Sequence, residues 1–74
     1  MGAKKIRLVR IYHVDGKSER MIHVGPATSL KASLEDYHKD VLAPRGFTDP
    51  IYKGNTLMVQ NKHGHERHYK AVEV

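Results

Sequence analysis

The densest chemistry in the chain lies in His63-Gly64-His65-Glu66-Arg67-His68, an H-x-H-x-x-H spacing with a carboxylate inside it. Imidazoles two residues apart on extended chain share a face and can grip a divalent metal, which makes His63 and His65 the candidate ligands. The alternation of a strand sends His68 to the other face, and Arg67 beside the pair would repel a cation. A third ligand is therefore lacking, and neither a metal nor another cofactor is expected. The other chemistry open to this tip is a protonatable contact with phosphate.

A second concentration of charge lies at the start of the chain. Lys4, Lys5, Arg7 and Arg10 all precede the first acidic residue, Asp15. Across the 74 residues, 13 Lys and Arg against 8 Asp and Glu give a net charge of +5, which favours anionic partners. Catalysis has no comparable signature. Ser29 is better used as a helix cap and Ser33 falls on the exposed side of the same helix. No glycine-rich phosphate cradle or paired-carboxylate motif is present, and a chain of this length rarely forms a deep water-excluding pocket. A non-enzymatic protein is expected.

The elements that position these residues follow from hydrophobic periodicity. Leu30, Leu34, Tyr37 and Val41 recur at i, i+4, i+7 and i+11, one stripe of a helix running from Ser29 to Leu42. Thr28 or Ser29 caps its start, and Pro44 and Gly46 stop it. On either side the chain reads as strand and turn. Lys5 to Val14 is rich in aliphatic and β-branched residues, and Asp15-Gly16 predicts a two-residue hairpin with both central residues at positive φ. The second strand is then Ser18 to Val24, with Val14 opposite Lys17, Tyr12 opposite Glu19, Arg10 opposite Met21 and Leu8 opposite His23.

This register divides the hairpin into two faces. Val9, Ile11, Ile22 and Val24 form the purer apolar set and are expected beneath the helix. Ile6, Leu8, Tyr12, Val14 and Met21 share the opposite face with Arg10, Lys17, Glu19 and His23, and no element of the chain is left to cover them. A solvated face should be mostly polar, so this face reads as an interaction surface.

Beyond the helix, Ala43 to Pro50 is a loop anchored by Phe47. A short strand at Ile51-Tyr52, a turn at Lys53-Gly54-Asn55 and strands at Thr56 to Asn61 and Glu66 to Val74 complete the chain. The fold class is α+β, a single domain over residues 1–74 with a β-β-α-β-β order and one helix across one face of a mostly antiparallel sheet. This order is similar to the β-grasp arrangement shared by ubiquitin-like proteins, and the resemblance implies a mixed sheet.

Two functions fit these residues. The first is nucleic-acid binding, to DNA or RNA, through the basic hairpin, with Lys5, Arg7, Arg10, Arg20 and His23 meeting phosphate and Tyr12 stacking a base. The alternative is a protein-interaction or homodimerisation module using Leu8, Tyr12 and Met21 on the open face. The sequence contains no cysteine and no apolar run of membrane-spanning length, and a cytoplasmic protein without membrane contact is expected.

Overall fold

A computed structural model of the chain describes residues 5–74; Lys4, counted above with the N-terminal charges, lies outside them. The elements are β1 (Arg7–Asp15), β2 (Ser18–Ala27), α1 (Leu30–Tyr37), β3 (Thr48–Lys53), β4 (Thr56–Gln60) and β5 (Glu66–Glu73). The strands form one five-stranded sheet in the order β2-β1-β5-β4-β3. All four pairings are antiparallel, so the likeness to a β-grasp arrangement is confined to element order and the crossing of the helix. Three strands follow the helix, and the short strand expected at Ile51-Tyr52 extends over Thr48–Lys53, which pairs with β4 as a full edge strand.

Ser29 caps α1 as its residue type predicts: the Ala32 N–H donates to Ser29 Oγ at 3.0 Å. The end of the helix departs from the periodicity. After Tyr37 the backbone widens into a π turn over His38–Leu42 and tightens into a 3-10 turn over Ala43–Arg45, which accommodates Pro44; Gly46, at φ 89°, stops it. A π turn inserts one residue into the helical count. The buried stripe therefore runs Leu30, Leu34, Tyr37 and Leu42, and Val41, expected in that stripe, is displaced to a half-buried flank.

The hairpin also differs from its expected register. The two turn residues are Gly16 and Lys17, with Asp15 opposite Ser18, and Gly16 alone takes positive φ, at 61°. A glycine at the first central position satisfies the turn without forcing Asp15 into a left-handed conformation. Val14 consequently faces Glu19 and Tyr12 faces Met21. A bulge then shifts the register between Ile11 and Tyr12, leaving Ile22 as the extra residue of β2. Because side-chain direction alternates along a strand, that one residue exchanges the faces of everything beyond it.

The core lies between the sheet and α1. Val9 and Ile11 from β1, Leu57 and Val59 from β4, and Tyr69 and Ala71 from β5 meet Leu34, Leu42 and Phe47. Ile22 packs partly against this cluster, whereas Val24, expected beside it, is exposed. His38 Nε2 bonds the Phe47 carbonyl at 3.0 Å and holds the loop that carries that ring.

Candidate functional site

The face of the sheet away from α1 carries cross-strand rows that can be followed residue by residue. Val24, Arg10 and Val72 form one row across β2, β1 and β5. Met21, Tyr12, Lys70 and Thr56 form the next, and Val14, His68, Met58 and Ile51 lie side by side beyond it. Pro26 stands opposite Leu8 at one end of the face. No chain segment among the described residues packs over these rows, and large apolar side chains stay open there, from 36% exposed at Val72 to 53% at Ile51. Leu8 and Met21, singled out in the sequence, are among them.

The charges on this face are mostly matched internally. Lys70 Nζ lies 2.7 Å from Glu19 Oε2 and 5.8 Å from the centre of the Tyr12 ring. His68 Nε2 lies 3.5 Å from a Glu66 oxygen. Arg10 has no carboxylate partner among the described residues, and it stands between two valines with Leu8 and Tyr12 ahead and behind. A partner that covered this face would enclose the guanidinium.

The remaining hairpin residues do not join Arg10. Arg7 has the facing of Val9 and Ile11 and pairs with Glu73 at 3.0 Å. Arg20 lies opposite His13 on the helix side of the sheet. His23, expected beside Leu8 on the open face, is turned to the helix side by the bulge, its ring 5.8 Å from that of Tyr37. Lys5 is exposed ahead of β1. Tyr12 is half-buried under Lys70 rather than free to stack a base.

On the helix side, rings run in sequence from His13 to Tyr69 (5.3 Å), Tyr37 (5.6 Å) and His23 (5.8 Å). Burial raises the Tyr37 hydroxyl above its ordinary pKa, with the Tyr69 hydroxyl adding to the effect and Arg45 and Arg67 opposing it. At the β4–β5 tip, Asn61 Oδ1 accepts from the backbone N–H groups of His63 (2.9 Å) and His65 (3.0 Å). The two rings lie 6.1 Å apart, and His68 is on the open face with Glu66. Among the described residues no group of three or more His, Cys, Asp or Glu is placed to hold a metal ion.

Val72, Ile51 and Met58 were missed as members of the open face. The alternation His68, Lys70, Val72 was readable, but its meaning required the pairing of β5 with β1, which joins residues far apart in the chain. Comparison with protein-family models, with curated proteins and with solved structures gives no match to this chain. No described helix is long and apolar enough to cross a membrane.

Proposed function

We propose that this protein is a non-enzymatic binding module whose open sheet face docks a protein partner presenting an apolar surface with a carboxylate set into it. The carrying observation is Arg10, which has no carboxylate partner among the described residues and is framed by Val24 and Val72 on a face of exposed aliphatic side chains. Burying an uncompensated guanidinium is costly, so a partner that covers the valines must also supply an acceptor for Arg10. Two copies laid face to face about Arg10 would oppose like charges, which favours a different protein over a second copy.

The edges of the sheet support docking by face rather than by strand addition. β2 carries a bulge and Pro26, and β3 carries a register irregularity and Pro50. Proline and bulges on edge strands disfavour pairing with another chain. Nucleic-acid binding by the hairpin has less support, since Arg7 is held by Glu73 and Arg20 and His23 stand on the helix side, away from Arg10. A cytoplasmic setting belongs to this reading and rests on the cysteine-free sequence.

A displayed library of random peptides selected on the intact protein tests the proposal. The expected result is enrichment of peptides with Asp or Glu flanked by apolar residues, whose binding falls tenfold or more, about 1.4 kcal/mol, on Arg10→Glu or Leu8→Asp. No enrichment over an unrelated protein, or enriched peptides indifferent to both substitutions, overturns it. A concentration-dependent dimer abolished by Leu8→Asp overturns the assignment of the face to a different protein.

A further inference from the structure

The end of the molecule formed by the 3-10 turn and the β4–β5 tip holds a cleft of ≈ 570 Å³ lined by Pro44, Arg45, Gly46, Thr48, Asn61, Lys62 and His63. Its walls come from the loop after the helix and from a hairpin tip far along the chain, so the sequence does not show them as neighbours. Three of the lining residues carry or can acquire positive charge, and none is acidic. Arg67 adds a fourth basic group beside it, its guanidinium 4.4 Å from the centre of the Phe47 ring. Arg45, Lys62 and Arg67 make no ion pair among the described residues. Asp49, the nearest carboxylate along β3, does not line the cleft.

Both walls are held in place by polar contacts. Gly46 donates its N–H to the Ala43 carbonyl at 3.0 Å, and its φ of 89° turns the chain back toward Phe47. On the other wall Asn61 fixes the backbone of His63 and His65 through its side-chain oxygen, and Gly64 donates to the Asn61 carbonyl at 3.0 Å. The cations are thus displayed from two braced turns.

We infer that this cleft binds the phosphate groups of a nucleic-acid strand, without reading its sequence. Converging Arg, Lys and His donors with Thr48 and Asn61 beside them match phosphate oxygens, and the absence of lining carboxylates leaves the field of one sign. Phe47 is buried and covered by Arg67 and offers no face for base stacking, and the charged and polar groups that line the cleft provide contact with the backbone. The cleft is open to solvent rather than enclosed, so a polymer backbone can lie across it. The site is separate from the docking face and from Arg10, which points to the opposite side of the sheet from Arg67.

Fluorescence anisotropy with a labelled mixed-sequence single strand of about 12 nucleotides tests the inference. The expected affinity falls with salt at a log–log slope of about −2, as for three phosphate contacts on a single strand. Arg45→Ala and Lys62→Ala each reduce that slope by about 0.7, while Arg10→Ala and Leu8→Asp leave it unchanged. Arg45 and Lys62 are exposed, and unchanged thermal melting shows that their variants fold. Absence of binding at low salt overturns the inference, as does loss on Arg10→Ala with the cleft variants unaffected. Full displacement by inorganic phosphate at a matched concentration of phosphate groups assigns the cleft to a small anion and also overturns it.

Discussion

Glu19 and Lys70 meet at 2.7 Å over the top of β1, joining an edge strand to the strand on its far side. The bridge holds the Lys70 ammonium near the Tyr12 ring and removes it from service to a ligand. Arg10, one row away, receives no such partner among the described residues. The contrast between these neighbouring cations is the physical basis for reading the open face as a docking surface with one charge reserved for its partner.

Because both ends of that bridge are substantially solvated, its contribution to stability is small. Glu19→Gln is expected to cost about 0.2–1 kcal/mol in urea unfolding at low ionic strength, with the difference from the unsubstituted protein shrinking in salt. A loss well above that range shows that the bridge is screened from solvent.

The two leucines Leu8 and Leu34 separate the faces of the sheet by their energetics. Leu34 is fully buried, and Leu34→Ala is expected to lose about 2–5 kcal/mol, enough to unfold much of a domain this small. Leu8, 47% exposed, is expected to tolerate Leu8→Ala within about 0.5 kcal/mol. Chemical denaturation of both variants checks the contrast.

Gly46 ends the helix at φ 89° with open space where a side chain would project. Gly46→Ala therefore introduces backbone strain without a clash and is expected to cost about 1–2 kcal/mol. A neutral result in thermal melting shows that the turn relaxes into another conformation.

Burial raises the hydroxyls of both Tyr37 and Tyr52, with Tyr69 adding at the first and Glu35 at the second. A tyrosine whose folded pKa is raised holds its proton more tightly when folded. Its stabilisation is complete below the unfolded value near 10.0 and is lost as pH rises through the higher folded value. Melting temperature should therefore fall in alkali, and Tyr37→Phe with Tyr52→Phe should flatten that fall. Equal alkaline slopes in the two proteins contradict the account.

Much of this arrangement is legible in local sequence. The Val9 and Ile11 alternation identifies the buried side of β1, the Ser29 cap sets the helix start, and Leu8, Arg10, Tyr12 and Met21 fall on the open face as their alternation requires. What escaped depends on single inserted residues. The bulge at Ile22 sends His23 and Val24 to the faces opposite those expected, and the π turn replaces Val41 by Leu42 in the core. Neither irregularity has a compositional marker, because each is fixed by packing once the sheet and helix meet. The cleft at Arg45 and Lys62 escaped for a different reason: its two walls become neighbours only once β3 and β4 pair, with Thr48 opposite Gln60.

The most direct test of the docking face is a methyl spectrum of the isotope-labelled protein titrated with a peptide carrying one carboxylate among apolar residues. The account predicts that the methyl signals of Leu8, Met21, Val24 and Val72 move while those of Leu34, Leu42 and Val59 stay in place, and that Arg10→Glu abolishes the movement. Shifts confined to the helix side, with the Leu8 and Val72 methyls unmoved at saturation, contradict it.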